Sequence, residues 1–198
     1  MDIRGISVLE EVRTSFKSGS RDIVHGGINE CEKQQLLSEG YIILESDISW
    51  VFICKDINAA NRLKSSRLYE YYMSKKNGNV IIPTWSATAE LGLLLGYPPR
   101  AVEVFDSNHP DWKYPPMLIN YCGIIFKTFR STIIYDIEWL YKYKPVDEED
   151  FSLTLWKKDG WFVVDGIPIY SITVEKGITQ HNVLQFIRNS LSKGEETK

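Results

Sequence analysis

The fold of this chain is organised around one apolar stretch, Pro83-Thr-Trp-Ser-Ala-Thr-Ala-Glu-Leu-Gly-Leu-Leu-Leu-Gly-Tyr-Pro-Pro-Arg-Ala-Val-Glu-Val-Phe105. Its pattern predicts two short helices joined by a break. Ser86 can cap the first helix with its hydroxyl, Gly96 can end it in the left-handed conformation, and one of the two prolines that follow can begin the second. Because leucines cover almost every side of residues 87–95, we expect the first helix to be buried all round, at the centre of the core.

The length and composition indicate a globular protein. A chain of 198 residues with 43% hydrophobic and 25% charged residues resembles an ordinary globular domain and can bury about 70% of its unfolded surface. We therefore expect a single domain over residues 1–198. A possible subdivision separates a helix-rich α+β part, residues 1–145, from a β-meander with a helix, residues 146–198.

The charge and hydropathy exclude some partners. A net charge of −3 and a pI near 5.7 give no general attraction to nucleic acid or to an anionic membrane, so neither is expected. No apolar run approaches the ~20 residues that span a bilayer. The first residues also lack the apolar region of a secretion signal, which favours a protein that is not exported.

The cysteines favour a reducing compartment. Cys31, Cys54 and Cys122 are odd in number and widely spaced, which argues against a disulfide framework or a structural zinc site. We therefore expect reduced thiols and a cytoplasmic location. The sequence has neither a Gly-x-Gly-x-x-Gly motif nor a P-loop, so no cofactor is predicted.

Before the organising stretch, local patterns predict helices and a hairpin. Ser7 with Glu10, and Asn29 with Glu32, match the capping box that begins a helix. The predicted elements are a helix from Ser7 to Gly19, a glycine-rich loop over residues 18–27, a helix over 30–39, a strand hairpin over 41–45 and 49–55, one long helix over 57–76 and a short strand over 80–82.

After the organising stretch, the patterns predict strands followed by a helix. Residues 131–144 fit a strand at one end and a helix at the other, and we predict a helix. The other predicted elements are one long central strand over 117–128, an exposed acidic loop over 147–150, an antiparallel meander over 151–157, 161–165 and 167–174, and a final helix that begins at Thr179. The fold class is therefore α+β, with a central mixed or antiparallel sheet, helices around the buried helix 87–95, and the C-terminal meander and helix.

Four polar residues at the end of the organising stretch are the candidates for catalysis. Glu103, Asp106, His109 and Asp111 are potential ligands or acid–base groups within nine residues. Oxygen and nitrogen ligands of this kind can hold a divalent ion, and Asp106, His109 and Asp111 are the candidate metal ligands. The spacing matches no metal motif, and a helix cap followed by a turn explains it equally well. No metal site is therefore assigned.

Aromatic residues are the candidates for binding. Six tryptophans and eleven tyrosines exceed what a core usually needs, and such side chains are enriched in binding surfaces. Core packing accounts for many of them. We predict a shared surface around Trp85, Tyr97 and Trp112, either a pocket or a partner-binding patch, with Ser86 and Tyr114 as further candidate binding residues.

The glycine-rich loop is a third candidate. Arg21 and His25 lie beside flexible backbone and could bind an anion through exposed N–H groups, although a plain connector is the alternative. The histidines His25, His109 and His181 lie in three separate segments. They could converge in space, but the sequence does not show that they do.

These observations lead to one functional hypothesis and two alternatives. The leading hypothesis is a small cytoplasmic binding protein without catalytic activity, which recognises a protein partner through an acidic, aromatic-rich surface as an inhibitor, immunity or regulatory protein would. The first alternative is a metal-assisted hydrolase that uses Glu103, Asp106, His109 and Asp111. The second is a small-ligand or nucleotide-binding module with a pocket at the helix break in residues 83–99. The oligomeric state is not predicted.

Overall fold

The computed structural model describes residues 7–47, 50–79, 82–106, 117–129, 131–147, 149–157, 170–174 and 180–192. Over these residues the chain forms eight helices and seven strands, which confirms the predicted α+β class. The helices are α1 Val8–Ser18, α2 Glu30–Ser38, α3 Ile57–Lys64, α4 Arg67–Lys76, α5 Ala87–Leu94, α6 Pro99–Asp106, α7 Ile133–Tyr143 and α8 Gln180–Ser192. The strands are β1 Ile23–Gly26, β2 Ile42–Asp47, β3 Trp50–Cys54, β4 Met117–Tyr121, β5 Ile124–Thr128, β6 Leu153–Lys157 and β7 Tyr170–Val174.

The strands form two antiparallel sheets. The first sheet has the order β1-β3-β2, and the second has the order β5-β4-β6-β7. The predicted hairpin of β2 and β3 is confirmed. The meander predicted over 151–157, 161–165 and 167–174 would pair the first of these strands with the second, but β6 pairs antiparallel with β4 on one edge and with β7 on the other. Because β4 also pairs with β6, the second sheet contains strands from both sides of the possible boundary at residues 145 and 146. The domain organisation itself stays a prediction.

The first sheet is covered by helices on both faces. Successive side chains of a strand point to opposite faces, and β3 shows this directly. Ile53 packs with Val12 of α1 and Leu36 of α2 on one face. Phe52 packs with Leu63 of α3 on the other face, where α4 and α5 also lie. The centre of this part of the core is therefore β3.

The second sheet builds a separate apolar cluster with α7 and α8. Ile119 and Phe126 of the sheet pack with Ile137 of α7 and Ile187 of α8. Tyr97, between α5 and α6, packs against this cluster and also against the cluster on the α3 side of the first sheet. One side chain is thus common to both.

The prediction that residues 87–95 form a helix buried all round is wrong. Ser86 caps α5 as predicted, accepting a hydrogen bond from the Ala89 amide at 3.0 Å. Within α5, however, only Gly92 is buried, and Leu93 is 52% exposed. The helix is two turns long and contacts α6 closely on one side, where a Cβ on Gly92 would lie 2.8 Å from Val102. A run of leucines therefore lies at the edge of the core and not at its centre.

The predicted long strand over 117–128 is a hairpin. Cys122 and Gly123 have φ angles of 48° and 88° and form the two-residue turn between β4 and β5. Left-handed conformations at both central residues match the right-handed twist of the strands. The turn lacks the Asn-Gly or Asp-Gly signature, which is why the sequence pattern reads as one continuous strand.

Two other boundaries differ from the predictions. The helix expected over 57–76 is two helices, because the Ser66 hydroxyl accepts a hydrogen bond from the Tyr69 amide at 3.2 Å and begins α4. The loop expected over 18–27 contains β1, whose partner strand β3 lies far along the chain. The first error overlooked a local capping signal, Ser66, whereas the second concerns tertiary context that local propensity does not report.

Residues 133–143 are helical, so the helix predicted over 131–144 is confirmed. Asp147 and Glu149 are exposed, as expected for the acidic loop. Residues 161–165, most of the strand predicted over 80–82, and Thr179 lie outside the described residues. Within the described part of the chain, no helix is long and apolar enough to cross a membrane.

Candidate functional site

A group of aromatic residues surrounds His25 where β1, β3 and α4 meet. We call it the His25 cluster, formed by His25, Ser46, Trp50, Phe52 and Tyr72. His25 Nε2 and Ser46 Oγ share a hydrogen bond of 2.8 Å. The imidazole is stacked on the Phe52 ring at a centroid distance of 4.4 Å. Trp50 and Tyr72 flank it at 5.1 Å and 5.7 Å.

Strand register explains why these residues meet. His25 lies opposite Phe52, so the two side chains share the face of the first sheet that α4 covers. The pairing of β2 with β3 shifts register between Glu45 and Asp47, which places Ser46 at an irregularity. An irregularity of this kind redirects a side chain. The Ser46 hydroxyl can therefore reach the imidazole from the far side of β3.

The His25 cluster has a buried floor and an exposed rim. Phe52 is fully buried and Ser46 is 2% exposed, whereas Trp50 is 44% exposed. Phe52 also contacts Tyr72 edge to face at 5.5 Å. Trp50 is thus a large exposed aromatic side chain that lies against the His25 imidazole. The imidazole itself is held by stacking on Phe52 and by its hydrogen bond with Ser46.

The geometry of His25 and Ser46 suits orientation better than catalysis. A distance of 2.8 Å is within reach of a nucleophile and its general base. A nucleophilic hydroxyl must also be open to the substrate, but Ser46 is buried. We therefore interpret the hydrogen bond as one that holds the imidazole in place under Trp50.

Two acidic residues flank Ser46 in β2. Glu45, next to Ser46 in β2, has an exposed side chain and forms an ion pair with Lys76 at the end of α4. Asp47 lies opposite Trp50 in the strand register. Exposed ion pairs contribute little to stability, so Glu45 remains available to a partner. Both acidic residues belong to the strand that pairs with the one carrying Trp50.

The structure brings two of the predicted site residues together. The Ser86 hydroxyl donates a hydrogen bond to the carboxylate of Asp106. This contact joins the first residue before α5 to the last residue of α6, so the two ends of the organising stretch meet. Glu103, one turn earlier in α6, pairs with Arg100 at 2.9 Å. Both carboxylates are on the exposed side of α6.

The predicted hydrolase centre stays a prediction. His109 and Asp111 lie outside the described residues, as do Trp112 and Tyr114 of the predicted aromatic surface. Among the residues that the structure describes, no three His, Cys, Asp or Glu side chains are grouped to hold a metal ion.

Trp85 and Tyr97 pack against the same apolar cluster. Both side chains are partly buried and contact the residues on the α3 side of the first sheet. The Tyr97 ring also lies 5.9 Å from Phe126 of β5. These contacts are those of core packing at its margin. The predicted shared surface, and the pocket predicted at residues 83–99, stay predictions.

Arg21 and His25 lie on different sides of the first sheet. Arg21 is buried against α1, where its guanidinium forms an ion pair with Glu11 and donates from Nε to Ser15 Oγ at 3.1 Å. It also donates from Nη2 to the carbonyl oxygen of Gly123 at 2.7 Å. Since Glu11 compensates its charge, we interpret Arg21 as structural.

His109 lies outside the described residues. His181 belongs to the first turn of α8, and nothing in the described residues tests whether it meets His25 or His109.

Sequence reasoning missed four members of the His25 cluster, namely Ser46, Trp50, Phe52 and Tyr72. Two local signals were present. Trp50 and Phe52 alternate along a strand, which puts both on one face, and Tyr69 and Tyr72 are three residues apart on one helix. The missing step was the recognition of β1 inside a glycine-rich segment, since only that strand brings His25 beside them.

Comparisons with protein-family models, with curated proteins and with solved structures found no match for this chain. Its function is therefore inferred from its own side chains and their arrangement.

Proposed function

We propose that this chain is a non-catalytic binding protein that recognises a protein partner through an aromatic and acidic surface, in the manner of an inhibitor, immunity or regulatory protein. The surface is formed by His25, Glu45, Trp50 and Tyr72, and we call it the Trp50 surface. The observation that carries the proposal is the exposed indole of Trp50, which lies 5.1 Å from an imidazole that is itself held by Ser46.

The physical reason is preorganisation. Binding usually costs entropy, because flexible side chains must be fixed at the interface. The His25 ring against which Trp50 lies already restricts the indole, so less of this cost arises on association. Tryptophan and tyrosine are also the residues that most often dominate the free energy of binding at protein interfaces.

The acidic component supports a partner with a basic rim. Glu45 is exposed, and the whole chain has a net charge of −3. Complementary charges around an aromatic centre raise the association rate and select the partner more than they raise affinity. A partner with lysine or arginine residues around an apolar centre fits this surface.

The cysteines support a cytoplasmic location for this binding protein. Cys31, Cys54 and Cys122 are all free thiols, and Cys54 and Cys122 are buried. Free buried thiols fit a compartment that keeps cysteines reduced.

A random peptide library displayed on phage tests the proposal. The library is selected against the folded protein, and each selected peptide is then measured against two variants, Trp50→Ala and Tyr135→Ala. Tyr135 is a matched control, because it is also a largely exposed aromatic residue but belongs to α7. We expect peptides that bind the wild type and Tyr135→Ala with similar affinity and bind Trp50→Ala at least tenfold more weakly.

Two outcomes would contradict the proposal. Selected peptides that bind Trp50→Ala as well as the wild type would place recognition elsewhere. A selection that yields no peptide of micromolar affinity would argue against a preorganised surface altogether. Circular dichroism of both variants, which replace exposed side chains, verifies that they are folded.

A further inference from the structure

A buried carboxyl group lies at the junction of β5, α6 and α7, on the side of the molecule that the proposed binding surface does not use. Asp136 is fully buried in α7. Its Oδ2 lies 2.5 Å from the Thr128 hydroxyl at the end of β5. The Thr128 hydroxyl in turn lies 3.1 Å from that of Thr132. We call these three residues the Asp136 cluster.

The surroundings of the Asp136 cluster are apolar. Ile133 and Ile137, on either side of Asp136 along α7, are fully buried. Within the described residues, Asp136 Oδ1 has no hydrogen-bond partner at normal distance. An ionised carboxylate with an unsatisfied oxygen in such surroundings is costly, whereas a neutral carboxyl is far less so.

The charged groups around Asp136 are few. From α6, the backbone amide of Ala101 and the charge of Arg100 favour the ionised form, and Arg100 is itself paired with Glu103. From β5 and the turn that follows, the described residues contribute the hydroxyls of Thr128 and Thr132 but no charge. From α8, Val183, Leu184 and Ile187 belong to the same apolar core as Ile133 and Ile137. Arg130 lies outside the described residues.

Burial outweighs these favourable contacts. Loss of hydration is the largest effect on Asp136 and raises its pKa from 3.8 to about 6, while the Thr128 and Thr132 hydrogen bonds, the Ala101 amide and Arg100 act in the opposite direction. The group therefore changes its charge close to neutral pH.

The two threonines allow both protonation states. When the carboxyl is protonated, it can donate to Thr128, Thr128 can donate to Thr132, and Thr132 can donate to the carbonyl oxygen of Phe129 at 3.4 Å. When the carboxyl is ionised, the two hydroxyls can turn so that Thr132 donates to Thr128 and Thr128 donates to Asp136. Hydroxyl hydrogens rotate to suit their partners, so the chain reverses without breaking.

We propose that Asp136 is a pH-sensitive latch: the junction of β5, α6 and α7 is stable while this buried carboxyl is neutral, and it becomes less stable when the carboxyl loses its proton, because the charge is then held away from water. Because the folded state binds the proton more tightly than the unfolded state, folding is favoured at low pH. This contribution is complete below the unfolded pKa and is lost as pH rises through the folded pKa.

Direct titration in the intact protein tests the latch. The carboxyl carbon of Asp136 is followed by ¹³C NMR in the wild type, with Asp136→Asn used only to assign its signal. A midpoint near pH 6, as the burial of this carboxyl implies, is expected. A midpoint at the ordinary value for aspartate would overturn the proposal.

Stability as a function of pH supplies a second readout. Urea unfolding of the wild type and of Asp136→Asn is compared from about pH 4 to about pH 8. The difference between their free energies of unfolding removes the contribution of the histidines, which both proteins contain. Relative to the variant, the folding equilibrium constant of the wild type should fall on the order of 100-fold as pH rises across this range. An unchanged ratio would contradict the latch. If Asp136→Asn does not fold, Thr128→Val replaces it. The titration midpoint of Asp136 should then move upward, because the hydroxyl that donates a hydrogen bond to the ionised carboxylate is lost.

Discussion

Arg21 donates a hydrogen bond of 2.7 Å to the carbonyl oxygen of Gly123. Arg21 precedes the first strand of the first sheet, and Gly123 is in the turn between β4 and β5 of the second sheet. Beside this bond, the Ser20 hydroxyl donates to the carbonyl oxygen of Cys122 at 2.8 Å. The two sheets are therefore joined by polar contacts that are buried.

Loss of the Arg21 side chain should destabilise the protein strongly. Arg21→Met leaves the Glu11 carboxylate buried without its compensating charge, which typically costs about 3 to 5 kcal/mol. The double variant Arg21→Met with Glu11→Met should recover part of this loss, because no buried charge then remains. Urea unfolding measures both, with Arg62→Met as a control, since its ion pair with Asp22 is exposed and should be worth less than about 1 kcal/mol.

A methyl group on Gly123 should disrupt the same junction. A Cβ at this position would lie 2.4 Å from Ser15 Oγ and 2.7 Å from the Ser15 amide nitrogen. The residue also has a φ of 88°, so Gly123→Ala combines overlap with strain and should cost about 2 to 4 kcal/mol.

Gly78→Ala separates these two causes. Gly78 has a φ of 76°, but nothing lies within 4 Å of its Cβ position. This variant should lose only about 1 kcal/mol. Equal losses in thermal unfolding of the two variants would mean that contact with Ser15 is unimportant.

The three cysteines should differ sharply in reactivity. Cys31 is exposed on α2. Burial raises the pKa of the Cys54 thiol to about 12 and that of Cys122 to about 11, and only the thiolate reacts readily with a disulfide reagent. At pH 8, Ellman's reagent should modify one thiol quickly in the native protein and all three in denaturant. Cys31→Ser should abolish the fast phase, and a fast phase that persists would contradict the assignment.

Neighbouring leucines of the organising stretch should respond differently to charge. Leu95 is 4% exposed and Leu93 is 52% exposed. Leu95→Asp buries an unpaired carboxylate and should unfold the protein or cost more than about 4 kcal/mol. Leu93→Asp places the carboxylate in water and should cost less than about 1 kcal/mol. Thermal unfolding distinguishes the two, and similar losses would show that α5 packs on both sides.

Predictions from the sequence were confirmed where all the residues that interact lie in one short segment. Asn29 and Glu32 satisfy each other's backbone groups within one helical turn, so the capping box is visible in the sequence and is present in the structure. The cap at Ser86 is of the same kind. Such contacts depend on spacing alone.

Other predictions were wrong because the residues that interact lie far apart in the chain. β1 exists because β3 pairs with it, and nothing within residues 23–26 signals that partner. The side of α5 that faces water depends on where α6 lies, although apolar residues predominate in the sequence of α5. The His25 cluster joins two strands and a helix, so no single segment could reveal it. The candidate surface was therefore less predictable than the helices that support it.

Tyr97 has a consequence for how the molecule loses its structure. Its side chain packs against the cluster of the second sheet and against one cluster of the first. If either sheet separated alone, the other would lose part of its own packing and expose this ring to water. The free energies of the two sheets are therefore coupled, and the protein should melt as one cooperative unit instead of passing through a state with only one sheet intact.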